Sequence, residues 1–211
     1  MDPGKDDTVS AARISLPDPE AMSPEQRAVF DAVVSGPRGA VIGPLRAAIH
    51  NPELADRWQK LGETLRYRLT LPKRLGELAI LVTARRWNAE LEWVVHAEAA
   101  LKAGLAPAVV EAILAGRPPK FSDPDEADIY AFARDLQMSG RVGDPAYGAV
   151  RTRWGERGVV ELTALVGYYT MVAMTLNAHR IPLPDGLEPA IYPDGEPAGA
   201  AALSDIPGAL T

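Results

Sequence analysis

The chain has 211 residues, enough for one large domain or two small packed halves, and its 47% apolar content is ordinary for a soluble globular protein. A net charge of -6 and a pI near 5.1 argue against a nucleic-acid binder, which would carry a basic stripe. The absence of cysteine excludes disulfides, thiolate metal sites and thiol redox chemistry, and with no apolar signal core at the N-terminus the expected location is cytoplasmic.

Residues 1–22 read as an extended arm. Ser23-Pro24 then gives an N-cap followed by proline at the first helical position, with Gly36 closing the helix. Asn51-Pro52 opens a second helix to about Arg68, and Leu71-Pro72 a third to about Trp87. Asn88 is the expected N-cap of a fourth helix, ended by Gly104. Ala106-Pro107 to Gly116 is a short fifth, Ser122 to Ser139 a sixth stopped by Gly140, Asp144-Pro145 to Gly155 a seventh, and Arg157 to Asn177 an eighth. Leu162 to Leu176 carries no charge, but these fifteen residues fall short of the ~20 that span a bilayer, so a buried core helix is expected and no membrane partner. From Ile181 onward the chain is rich in proline, glycine and alanine and reads as an irregular tail.

No stretch alternates with period two, so the predicted class is all-α: one helical domain over residues 23–180, flanked by the arm (1–22) and the tail (181–211). A possible internal two-fold repeat is visible. Glu77-Leu78-x-x-Leu81-Val82 returns as Glu161-Leu162-x-x-Leu165-Val166, and Pro52-x-x-Ala55-Asp56 as Pro124-x-x-Ala127-Asp128.

The run from Glu77 to His96 concentrates the chemistry. His96 is the natural proton shuttle near neutral pH, and Glu92 stands four residues before it, on the same helical face, where a carboxylate can orient an imidazole. The alternative is a surface ion pair worth only about 0.3–0.5 kcal/mol. Glu77 has apolar neighbours on most sides, so it must pair or shift its pKa upward; a structural bridge to Arg74 or Arg85 is the competing role. Arg85 and Arg86, in a chain with 17 arginines against 5 lysines, are candidate clamps for a substrate carboxylate, or else compensate the helix dipole. Trp93 is a candidate pocket wall, and Tyr169 and Asn177 are candidate polar groups on the apolar eighth helix. Asn177 is expected to have a buried partner. His50, His96 and His179 are far apart and no HxxxH occurs, so no metal site is expected, and no phosphate loop or nucleophile elbow appears.

Glu77, then Glu92-Trp93-Val94-Val95-His96, then Ala99-Ala100 and Gly104-Leu105 resemble the carboxymuconolactone decarboxylase family, which shares its fold with alkyl hydroperoxidase D. The likeness is strong over about residues 43–117 and extends more weakly to Pro184. The resemblance implies a hydroperoxidase-D-like helical fold, a homo-oligomer (trimer or hexamer), no cofactor, and a small-molecule substrate. In the hydroperoxidase branch a Cys-x-x-Cys precedes the histidine; Ala89 and Glu92 stand at those positions here, so thiol-based peroxide reduction is not available. In the decarboxylase branch the resemblance implies proton transfer to a small lactone acid of aromatic catabolism. His96 would be the donor, Glu92 its orienting group, and Arg85 or Arg86 the carboxylate holder. The chain is longer than such decarboxylases, and Glu-Trp before the histidine is not their usual motif. The expectation is therefore a cofactor-independent decarboxylase-type lyase. The alternatives are a thiol-free peroxide-related protein and a non-catalytic binding or scaffold protein.

Overall fold

A computed structural model describes residues 12–192 and 200–205. Among these residues the secondary structure is entirely helical. After a short 3-10 turn (Pro19–Ala21) come α1 (Pro24–Ser35), α2 (Leu45–Ala48), α3 (Pro52–Tyr67), α4 (Lys73–Trp87), α5 (Glu90–Lys102), α6 (Pro107–Leu114), α7 (Pro124–Ser139) and α8 (Asp144–His179). The one-turn α2 lies in a stretch where no helix was expected, and it is too short to carry a periodic signal. The predicted break between a seventh and an eighth helix is Gly155, whose φ of 68° and ψ of -175° interrupt α8. The rest of the arm and tail, residues 1–11, 193–199 and 206–211, lies outside the described residues.

Local sequence explains the boundaries. Ser23 and Gln26 form a reciprocal capping box at the start of α1, and Asn51 caps α3 through Leu54 N–H at 3.1 Å. Asn88 departs from expectation. It adopts the left-handed conformation (φ 53°) and terminates α4, while Ala89, with no side-chain cap, begins α5. The Ala89 N–H donates to the Ala84 carbonyl at 2.9 Å and the Asn88 N–H to that of Arg85 at 3.3 Å, a Schellman closure. Asparagine tolerates this conformation better than most residues, so the same polar residue that signals a helix start serves here as a stop.

Helix α4 is the axis of the fold. Every residue from Leu75 to Ala84 is buried, as expected of a helix apolar on all sides, and α5, α7 and α8 pack around it. At 36 residues with the kink, α8 is longer than the sequence implied, and by length and composition it could cross a membrane. Half of its most apolar window is nevertheless buried within the protein, with Leu162, Leu165, Val166, Tyr169, Val172 and Ala173 facing inward. The tail returns over the helices. The Ala201 N–H donates to the Arg86 carbonyl at 2.8 Å and Arg86 Nη1 donates to the Ala201 carbonyl, Tyr130 Oη donates to the Ser204 carbonyl at 2.8 Å, and the N–H groups of residues 190–192 converge on the Glu90 carboxylate.

The repeated motif diverges in use. Glu161 accepts from Thr70 N–H at 2.7 Å and pairs with Arg157 at 2.7 Å, tying α8 to the α3–α4 loop, whereas Glu77 turns into the interior.

Candidate active site

A small cavity, open to solvent, lies between the loop after α1, α3, α5 and α8. Ile42, Leu91, Val95, Val172 and Leu176 make apolar walls. The polar groups are Arg38, Arg66, Glu92, His96, Tyr168 and Tyr169.

His96 is 5% exposed, and its Nδ1 meets Glu77 Oε2 at 2.7 Å. Burial pushes the imidazole pKa below its ordinary 6.5, and the Glu77 hydrogen bond only partly offsets this. The contact is therefore a hydrogen bond from a neutral ring. With Nδ1–H given to the carboxylate, Nε2 carries the lone pair. Tyr169 meets the imidazole edge-on, ring centroids 4.9 Å apart.

Glu92 is 3% exposed, and both of its carboxylate oxygens are buried with no hydrogen-bond partner among the described residues. Desolvation drives its pKa well above the ordinary carboxylate value of 4.5, which favours the neutral acid. The expected orientation of His96 by Glu92 is thus corrected. Glu77, from the neighbouring helix, holds the ring, and Glu92 stands apart as a second proton-bearing group. The Arg74 bridge considered for Glu77 goes instead to Asp123, at 2.6 Å, and to Glu126.

The expected arginine clamps also lie elsewhere. Arg85 Nε donates to the Leu114 carbonyl at 2.8 Å and its Nη1 to Asn88 Oδ1, while Arg86 binds the tail. Both sit where α4 ends, away from the cavity. Trp93 is 2% exposed and belongs to the core. Asn177 is exposed; its Nδ2 donates to the Trp87 carbonyl at 2.6 Å, so it closes a helix end and does not reach substrate space. Of the residues read as substrate-binding, Tyr169 alone lines the cavity.

The cavity's guanidiniums are Arg38 and Arg66, neither of which forms an ion pair among the described residues. Arg38 Nη2 donates to Tyr168 Oη at 3.2 Å, its Nε is buried without a partner, and Tyr169 Oη is likewise unpartnered. Arg38 lies in a Gly-Pro-Arg-Gly loop, and Arg66 reads as an ordinary last-turn cation, so neither had a motif. One signal was present. Gly62 sits mid-helix, where glycine costs about 1 kcal/mol, and a Cβ there would overlap the Arg38 guanidinium and the Tyr168 hydroxyl and approach the Tyr168 ring at 2.7 Å.

Residues 52–135, which contain Arg66, Glu77, Glu92 and His96, match the model of the carboxymuconolactone decarboxylase family. Over this segment the chain is similar to that family. No curated protein matches it. Among solved structures, the chain is similar to an uncharacterized peroxidase-related protein with an alkylhydroperoxidase AhpD core from Ralstonia eutropha JMP134 (TM-score 0.66, 14% identity, covering 82% of this chain and 93% of that one). It is similar to an uncharacterized peroxidase-related protein from Silicibacter sp. TM1040 (TM-score 0.66, 16% identity, 86% and 96% covered). A third likeness is to the debrominase Bmp8 in complex with 2,3,4-tribromopyrrole (TM-score 0.60, 15% identity, 77% and 87% covered). At these identities the likeness establishes the AhpD-core fold.

Proposed function

We propose that the protein is a cofactor-independent proton-transfer enzyme, of the decarboxylase type, acting on a small carboxylated or lactone substrate. The observation that carries this reading is the convergence on one cavity of an acid disposed to keep its proton (Glu92), a neutral imidazole backed by a carboxylate (His96 and Glu77) and two guanidiniums without carboxylate partners (Arg38 and Arg66). The Glu92 oxygens, Arg38 Nε and Tyr169 Oη have no hydrogen-bond partner among the described residues, which leaves them open to a polar ligand.

In the reaction, the bond to the departing carboxylate breaks and CO2 leaves. The electron pair passes into the conjugated carbonyl, where Arg38 and Arg66 face the developing negative charge. Glu92 then delivers a proton to carbon. This role falls to Glu92 because its environment keeps it protonated, whereas that of His96 keeps the ring neutral. The Glu92 carboxylate left behind regains its proton from solvent, with His96 Nε2, oriented by Glu77, relaying it, so that one proton is consumed per turnover.

The chain contains no cysteine, so any peroxide-related activity, as the names of the structural neighbours invite, would run without a thiol. Screening carboxylated lactones and related aromatic-pathway acids for CO2 release tests the proposal. On a true substrate, Glu92→Gln and His96→Ala should each lower turnover by about 10²-fold or more with the fold retained. Full turnover by both variants would overturn it, and peroxide consumption above background would favour the other activity.

A further inference from the structure

Helix α8 is apolar on two sides, and the core uses only one of them. Half of its most apolar window packs inward. The outer side carries Val160, Ala164, Gly167, Met171, Met174 and Ala178, spaced three or four residues apart and therefore in one stripe along the helix. Val160 is 67% exposed and Met174 45%. No residue from Leu162 to Ala178 is charged. The threonines beside the stripe do not make it polar. Thr163, Thr170 and Thr175 turn their hydroxyls back onto the carbonyls of Val159, Val166 and Met171, at 2.9, 2.8 and 2.8 Å.

Gly167 stands at the centre of the stripe. It is exposed, and a Cβ there would meet nothing within 4 Å among the described residues. Glycine inside a helix costs about 1 kcal/mol, and Gly167, unlike Gly62, makes room for no neighbour in its own chain. Around it the stripe is nearly palindromic. Val160 and Met174 lie seven residues to either side, close to two turns, and Ala164 and Met171 lie three and four. A two-fold axis at Gly167 thus sets Val160 of each copy against Met174 of the other, and the backbones approach where neither has a side chain. The ends are complementary in charge. Exposed Glu156 begins this half of α8, with Arg157 beside it already paired to Glu161 at 2.7 Å, and His179 and Arg180 close it. Antiparallel pairing brings the acidic end of each copy to the basic end of the other.

We infer that the outer face of α8 is a homodimer interface, in which two copies pair antiparallel about Gly167. A lipid surface fits this face less well, because interfacial helices flank their apolar stripe with Lys and Arg and this chain carries a net charge of -6. The inner side of the same helix presents Tyr168, Tyr169, Val172 and Leu176 to the cavity, so the interface backs the cavity wall. The inference is independent of the activity proposed above.

Light scattering on the full chain should give twice its 22.6 kDa, or another even multiple. Because the chain has no cysteine, single introduced thiols report the register. Gly167→Cys should oxidise to a disulfide-linked dimer, since the axis sets position 167 against itself. Val160→Cys and Met174→Cys should each stay unlinked when alone, their symmetry mates lying about 21 Å away along the pair, and should link when the two are co-expressed. Val160→Glu combined with Met174→Glu should halve the mass, with far-UV circular dichroism unchanged. A monomeric or odd-numbered wild type, co-expressed thiols that do not link, or an undiminished mass in the double variant would overturn the inference. So would a monomer that binds vesicles of phosphatidylcholine and phosphatidylglycerol and loses that binding in the double variant, which would give the face to lipid.

Discussion

Glu92→Gln should stabilise the protein progressively as pH rises while lowering its turnover. The carboxyl has both oxygens buried and unpartnered, and burial raises its pKa well above 4.5. Below pH 4.5 the group is protonated in both folded and unfolded chains and contributes no pH dependence. Above 4.5 the unfolded chain releases this proton while the folded chain retains it. Stability is therefore lost at up to about 1.4 kcal/mol per pH unit until the folded pKa is passed, where the loss levels off. The amide cannot ionise and is free of this loss. It also leaves a buried polar group unpaired, a pH-independent cost of about 1–3 kcal/mol that displaces the whole curve without changing its shape. Urea denaturation of both proteins from pH 4 to 8 gives the difference in unfolding free energy, in which the His96 contribution, common to both, largely cancels. The difference should be level near pH 4 and then climb in favour of glutamine. A flat difference across the range would mean that Glu92 is solvated or paired, and the acid assigned to the site would be lost.

In Glu77→Gln, the His96 pKa should fall further below 6.5, because the carboxylate supplies the two largest influences raising it; an NMR titration of the imidazole reads this directly, and an unchanged value would break the dyad. In the wild type the lowered His96 pKa makes the fold lose stability as pH drops below 6.5, since the unfolded chain then takes up a proton that the folded chain refuses; His96→Gln should remove that acid-side loss in denaturation curves. Gly62→Ala gains about 1 kcal/mol of helix propensity, but its methyl must displace Arg38 and Tyr168; carboxylate affinity should drop at least ten-fold while thermal stability changes little, and unchanged affinity would show the clamp to be dispensable.

Helix existence was legible because proline, Asx and glycine punctuation acts locally: Ser23-Pro24, Asn51-Pro52 and Gly155 do in three dimensions what their chemistry implies. The dyad members Glu77 and His96 were also visible, since an acid in an apolar run and a histidine near it are costly to bury without a reason. Their partnership was not visible. Spacing pairs Glu92 with His96 on one helix, but the left-handed stop at Asn88 brings α4 against α5, so the closer carboxylate comes from nineteen residues upstream. The arginines that line the cavity were missed for the same cause. Arg85 and Arg86 are close to the dyad in sequence, yet they sit at the far end of α4 from Glu77, where carbonyl oxygens of α6 and the tail claim them. Arg38 and Arg66 reach the cavity only through tertiary packing, which no local pattern encodes.

The segment similar to the family model, residues 52–135, contains the Glu77–His96 pair, Glu92 and Arg66, but Arg38 precedes it and Tyr168 and Tyr169 follow it. On the proposed reading, the proton-handling groups all lie within that segment, while the groups that would grip a ligand are divided between it (Arg66) and its flanks (Arg38, Tyr168 and Tyr169). Exchanging the flanks alone would then alter part of the grip while sparing the pair proposed to move the proton.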